Sequence, residues 1–318
     1  MDGAGGRDAA PDLSGVRPDP RGHHGAASPG PAAQPPAPGG AGGRHRGRGA
    51  GRRGGRLSVA ERPEDDVILG VDRVSKRFGG LVAVDDVSFD VRRGRVSALI
   101  GPNGAGKTTL FNCVTGLFPP TEGHIWFEDI DVSGVRPHQV AKLGVARTFQ
   151  NIRLFEYMSA LDNVRVGQHV RMKANLWDAM FKLPRERREE VHVTERAREL
   201  LRFVGLERHG ESYARNLSYG QQRRLEIARA LATAPRLLLL DEPAAGFTPQ
   251  EKVELMRLVQ RILDQGITIL LIEHDMRVVM DISDQITVLD HGEKIAEGPP
   301  EEVRHNQRVI DAYLGTAS

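Results

Sequence analysis

From residue 66 onward, apolar positions fall into short runs punctuated by turn residues. Residues 67–71, 87–91 and 96–100 are rich in branched side chains and predict strands. Asp85–Asp86 and Arg92–Arg93–Gly94 read as the turns between them. A glycine-rich stretch, 101–109, runs into an expected helix over 109–116, and residues 125–128 predict a further strand. From residue 137 to 209 the period turns helical. Ala197, Leu200, Leu201 and Val204 fall at i, i+3, i+4 and i+7, one face of a helix, and Gly205 suits its C-terminal cap. The helical pattern returns over 225–231 and stops before Pro235. Residues 237–240, 267–272 and 286–289 are continuous apolar runs, as expected of strands covered on both faces. Strands alternating with helices predict an α/β fold with a mainly parallel sheet, and the helical block reads as an insertion.

Composition divides the chain. Residues 1–56 hold 16 Gly and 8 Pro and no Ile, Phe, Trp, Tyr or Cys. Such a stretch buries too little apolar surface to offset chain ordering, so a disordered tail is expected over 1–65. Nine of the arginines lie in 1–56 against four aspartates, a local +5 in a chain of net +2, which leaves the remainder at −3. The folded part is therefore not a strongly basic domain, and no specific nucleic-acid partner is expected. The arginines of the tail have no interleaved aromatic residues to stack on bases, and the tail is expected to be functionally silent. The single cysteine, Cys113, rules out an intrachain disulfide and a cysteine-rich zinc site, as suits a reducing cytoplasm. No apolar run approaches the roughly 20 residues of a membrane span, and the N-terminus has no apolar segment of signal type.

The chemistry is concentrated in a few segments. Gly101, Pro102, Asn103, Gly104, Ala105, Gly106, Lys107 and Thr108 match G-x-x-x-x-G-K-[ST] between an expected strand and an expected helix, with Thr109 following. Glycines let backbone amides curl around phosphate oxygens, and the helix N-terminus adds free donors. Lys107 would bring a charge to the β- and γ-phosphates, and Thr108 a hydroxyl to Mg²⁺. The apolar run 237–240 ends in Asp241 and Glu242. Asp241 suits the Mg²⁺ shell, and Glu242 suits deprotonation of an attacking water. Gln150 could sense Mg²⁺ or that water, and His274, after the strand at 267–272, could bond the γ-phosphate. Phe78, before Gly79–Gly80, could stack on adenine. Ser218, Tyr219, Gly220 and Gln221 open the helix that leads toward Asp241, with Ser218 as an N-cap.

Together these segments resemble the ATP-binding cassette family. The GPNGAGKTT loop, the Gln150 loop, LSYGQQ, LLLLDEP and the IEHD around His274 occur in its order over about residues 66–315. The resemblance implies a P-loop NTPase of ABC type over 66–318. That domain has a RecA-like core, an antiparallel β subdomain and a helical subdomain inserted at about 150–230. It implies that ATP and Mg²⁺ are bound, and that Ser218, Tyr219, Gly220 and Gln221 close over the ATP of a second cassette in a head-to-tail dimer. The stretches RFGGLVAVDDVSF, RTFQNIRLF, LSYGQQRRLEIARALAT and IEHDMRVVM, with the ending Ala312-Tyr-Leu-Gly315, are similar to LivG-type ATP-binding subunits of branched-chain amino acid importers. The partners implied are a LivF-type sister ATPase or a second copy, two membrane permeases and an extracytoplasmic solute-binding protein. The implied place is the cytoplasmic face of the membrane. Arg147, Phe149, Leu154 and Phe155 are the expected permease contacts. Two positions depart from the wider family. Tyr219 stands where Gly is usual, which suits the LivG type. Thr248 stands where many cassettes have an Asp that couples the two sites and the LivG type tends to have Asn, and Thr supplies no such carboxylate. Alternatives are the ATPase of a urea or amide importer, one of lipopolysaccharide transport, or a soluble cassette ATPase acting on ribosomes or DNA.

Overall fold

A computed structural model describes residues 66–150, 152–168 and 184–314. The tail expected over 1–65, the middle of the helical block and Gly315 of the C-terminal motif lie outside the described residues.

Two sheets organise the fold. The first is antiparallel, in the order β2 (Leu81–Arg92), β1 (Val67–Phe78), β4 (Glu122–Phe127), β5 (Ile130–Asp131). Asp85 and Asp86 lie within β2, not in a turn. The hairpin turns instead at Gly79–Gly80, where Gly79 has φ 57°. The acidic pair forms a bulge: Asp86 is left-handed at φ 48°, the register slips between Val74 and Lys76, and Ser75 Oγ accepts from the Asp86 amide at 2.9 Å. Turn chemistry and bulge chemistry share the left-handed residue, which is why the sequence pattern alone reads as a turn.

The second sheet has six strands in the order β10 (Glu293–Gly298), β9 (Gln285–Asp290), β3 (Val96–Ile100), β8 (Thr268–Ile272), β7 (Leu237–Asp241), β6 (Val145–Arg147). All of its pairs are parallel except the antiparallel edge β10–β9. Leu237 and Leu239 face the cluster shared with the antiparallel sheet, while Leu238 and Leu240 face the cluster that reaches the helical segment. The period of two is preserved, and both faces need apolar residues because both are covered. Each such leucine contributes roughly 1.5–3 kcal/mol on burial. The strand β6 interrupts the stretch read as helical.

Helix α1 (Lys107–Val114) follows β3 directly, and α2 (Pro137–Leu143) precedes β6. The inserted segment comprises α3 (Ala160–Gln168) and α4 (Pro184–Phe203), which pack with α5 (Tyr219–Ala232). Ala197, Leu200, Leu201 and Val204 are buried as the helical period requires, and Gly205 closes α4 at φ 75°. Helices α6 (Pro249–Asp264) and α7 (Met276–Ile282) flank β8 in the chain. The short helix α8 (Pro300–Arg304) and α9 (Gln307–Leu314) end the described chain. Among the described residues no helix is long and apolar enough to cross a membrane.

Candidate nucleotide site

Residues 101–109, Gln150, Asp241, Glu242 and His274 gather where β3, β6, β7 and β8 end. Four parallel strands deliver their carboxyl ends to one edge, the usual ligand edge of an open α/β sheet. After β3 the chain turns through Gly101 at φ 149° and Gly106 at φ 95°. A Cβ on Gly101 would sit 2.1 Å from Leu289 O, and one on Gly106 2.4 Å from Ala83 O, so neither position admits a side chain. Gly106 caps α1 with no side-chain bond, which leaves the first amides of the helix free of side-chain acceptors. Asn103, Gly104 and Thr108 are exposed, Pro102, Gly106 and Thr109 are half-buried, and Ala105 and Lys107 are buried.

Lys107 Nζ donates to the carbonyls of Gly101 at 2.7 Å and Pro102 at 2.9 Å. Burial lowers its pKa from the usual lysine value, and the charges of Glu242 and Asp241 oppose that shift. Those couplings bring the end of β7 to the glycine loop. Asp241 is buried. Its Oδ2 accepts from Arg147 Nη2 at 2.7 Å, while Oδ1 is buried without a hydrogen-bond partner among the described residues. Arg147 also reaches Asn112 Oδ1 at 2.7 Å on α1. Arg147 therefore points inward and is not a surface residue, contrary to its expected place among the permease contacts. A guanidinium beside a carboxylate at the end of an apolar strand answers the desolvation that Asp241 would otherwise suffer.

Glu242 follows in a left-handed backbone conformation, φ 47°, an uncommon place for a residue with a side chain. Its Oε2 accepts from Gln150 Nε2 at 3.1 Å and lies 3.9 Å from His274 Nδ1. Glu242, Gln150 and His274 thus form one cluster, and His274 and Gln150 are exposed. Phe78 ends β1, half-exposed. Its ring meets Phe118 edge-to-face at 5.4 Å, with Lys76 Nζ 5.1 Å from its centroid.

The segment 218–221 has its own bonding. Ser218 Oγ accepts from the Gln221 amide at 3.3 Å, and Gln221 Oε1 accepts from the Ser218 amide at 2.9 Å, a reciprocal capping box at the start of α5. Gln221 Nε2 lies 3.0 Å from His209 Nε2. Tyr219 is exposed and meets Phe247 edge-to-face at 6.3 Å. Its hydroxyl accepts from Arg223 Nη2 at 3.2 Å. Arg223 also donates to the carbonyls of Phe149 and Gln150, and it pairs with buried Glu226 at 3.1 Å. Burial raises the Glu226 carboxyl pKa, against the Phe149 amide and Arg223, which lower it. This network joins the start of α5 to the Gln150 loop. Its signal in the sequence is a charged i, i+3 pair on an otherwise apolar helix face. Thr248, without a carboxylate of its own, caps α6 with Glu251, whose Oε1 would lie 2.9 Å from a Cβ on Gly220.

Of the expected surface contacts, Phe155 is exposed, whereas Leu154 packs against the core and the Phe149 ring lies 4.7 Å from the Arg153 guanidinium. Two further exposed residues that the sequence did not single out, Tyr157 and Tyr213, have Arg215 at 4.8 and 5.8 Å from their rings.

A family model described as ABC transporter matches residues 84–245, and one described as branched-chain amino acid ATP-binding cassette transporter matches residues 293–318. The chain is 48% identical, over 79% of its length and 98% of the relative's, to the high-affinity branched-chain amino acid transport ATP-binding protein LivG of Salmonella typhimurium. Identity and coverage are the same for BraF of Pseudomonas aeruginosa, which carries the same description. A crystal structure of a nucleotide-free ATP-binding cassette from an ABC transporter aligns with TM-score 0.69 at 33% identity, covering 78% of this chain and 98% of that one.

Proposed function

Because the chain belongs to the ATP-binding cassette family of branched-chain amino acid transport subunits, we propose that it hydrolyses ATP at the Lys107–Glu242 edge to energise import of those amino acids. Nucleotide binding and ATP hydrolysis are the activity of this family of transport subunits. The observation that carries the residue assignment is the Gln150–Glu242–His274 cluster standing within electrostatic reach of Lys107.

In this reading the amides of 101–109 and the free start of α1 cradle the phosphates, and Lys107 exchanges its loop carbonyls for β- and γ-oxygens. Phe78, propped edge-on by Phe118, stacks on adenine. Glu242 takes the proton of the attacking water. The Gln150 amide holds Oε2, so the carboxylate is oriented before the water arrives. His274, beside the base, donates to the γ-phosphate. A magnesium ion fits the donors present: Asp241 Oδ1 is a buried carboxylate oxygen with no hydrogen-bond partner among the described residues, and Thr108 and Gln150 supply neutral oxygens. Held by these donors, Mg²⁺ would supply positive charge to offset that of the phosphates.

Ser218, Tyr219, Gly220 and Gln221 serve the ATP of a second cassette, either a sister subunit or another copy. Ser218 and Tyr219 are exposed; beyond the capping box, the segment's side-chain contacts among the described residues go to His209, Arg223 and Phe247 and not to residues 101–109. The cassette occupies 66–318 with its helical insertion at about 150–230. Two permeases place it at the cytoplasmic face of the membrane, and a solute-binding protein completes the complex. Phe155, Tyr157, Tyr213 and Arg215 form the permease contact, an exposed aromatic–arginine set of the kind that anchors interfaces.

The test is purification of the tagged full chain from native membranes in mild detergent, with co-purifying chains identified by mass spectrometry. Two polytopic permeases and a sister ATPase are expected. Ribosomes or DNA without a permease would overturn the reading. Titration of the linked binding protein with leucine, isoleucine, valine, urea and short amides assigns the solute.

A further inference from the structure

Glu273 follows Ile272, the last residue of β8, and is fully buried, one residue before His274. Buried carboxylates need compensation, and here three backbone amides provide it. Oε1 accepts from Ala244 at 2.8 Å, and Oε2 accepts from His274 at 2.9 Å and Asp275 at 3.2 Å. The two oxygens hold different segments. One grips the loop that follows Glu242, and the other grips the turn that presents His274. The strand end also holds Glu242 from its other side, because the Glu242 amide donates to Ile272 O at 2.9 Å. The left-handed Glu242 is thus clamped fore and aft by the consecutive residues Ile272 and Glu273. His274 Nδ1 lies between the Oε2 atoms of Glu242 and Glu273, at 3.9 and 3.7 Å.

We propose that Glu273 is a positioning residue for hydrolysis: its carboxylate bridges the Glu242 loop to the His274 turn and fixes the base and the imidazole relative to each other. A carboxylate is required because only an acceptor at both oxygens satisfies amides on both sides. A glutamine turns one of the two into a donor facing an N–H. The inference rests on Glu242 as the base and adds a residue that touches neither nucleotide nor water.

The test compares Glu273→Gln, Glu242→Gln and the double variant in the assembled complex. Glu273→Gln is expected to lower kcat about 10- to 100-fold, within the range set by misplacing a general base, with the KM for ATP within about twofold of wild type. In the double variant it should add little to the Glu242→Gln loss, because it acts through that residue. Glu273→Asp keeps the charge but is one methylene too short to span both loops. It supplies the same kcat reading if the glutamine variant does not accumulate. Wild-type kcat in Glu273→Gln, or in Glu273→Asp where only that accumulates, with Glu242→Gln inactive, overturns this inference and leaves the base assignment standing. Wild-type kcat in Glu242→Gln removes the base assignment itself. A kcat loss in Glu273→Gln that multiplies independently with that of Glu242→Gln, or a matching loss of ATP affinity, marks a general structural role and overturns the proposal.

Discussion

Arg147 Nη2 donates to Asp241 Oδ2 at 2.7 Å, with the two side chains only 7% and 1% exposed. The pair joins the ends of neighbouring strands β6 and β7 and, through Asn112, the helix that follows the glycine loop. One oxygen of Asp241 is thereby committed to the protein and the other left for the site. Removing the guanidinium strands a buried carboxylate, at a cost of about 3–5 kcal/mol. Arg147→Ala is expected to lose stability on that scale in denaturant unfolding, whereas Phe155→Ala, at an exposed position, should change it by less than about 0.5 kcal/mol.

The proposed function gives the hydrolytic step to Glu242. Glu242→Gln preserves the volume and a partner for Gln150 but removes the base. Nucleotide affinity is expected to stay near wild type while turnover falls by about 10²-fold or more. Gel filtration with ATP and Mg²⁺ should then show a trapped two-cassette species. Turnover at the wild-type rate would show that another group accepts the proton.

Asp275 reports on pH. Its Oδ1 accepts from the Arg277 amide at 3.0 Å at the start of α7, and Oδ2 lies 2.5 Å from Lys252 Nζ. The Lys252 hydrogen bond first, then the helix amides, lower its pKa below the carboxylate value of 3.8. A depressed carboxylate contributes stability that is complete above its unfolded pKa and is lost as pH falls through the folded one. Asp275→Asn keeps the cap and removes the charge. It should cost up to about 1 kcal/mol at pH 7, since the ion pair is partly solvated. That difference should vanish as pH falls below 3.8 and through the lowered folded value. A difference that persists there would assign the effect to the cap instead.

Much of this arrangement is legible in the sequence because its segments are locally determined. Residues 101–109 need glycines wherever they sit, and 237–240 is apolar throughout because both faces of β7 are covered. Ala197, Leu200, Leu201 and Val204 show the buried face of α4 directly. What escapes is set by distant partners. Val145–Arg147 has three residues and one branched side chain, and it is a strand only because β7 pairs with it. Arg147 reads as a surface cation beside the Gln150 loop until Asp241, far along the chain, draws it inward. Glu273 looks like one more acid in an acidic turn. Its partners are backbone amides, including Ala244 across a loop, and backbone amides leave no trace in sequence. The bulge at Asp86 shows the limit from the other side: the residue types were informative, but a left-handed conformation serves bulge and turn equally.

The central claim is that ATP hydrolysis at Glu242 is coupled to amino-acid import. The most direct measurement is the ATPase rate of the complete complex in proteoliposomes, with its binding protein added and leucine, isoleucine or valine titrated in. The account predicts several-fold stimulation by at least one of these solutes, absent with Glu242→Gln. An ATPase rate in that complex indifferent to all three, or stimulated instead by urea or short amides, would contradict it.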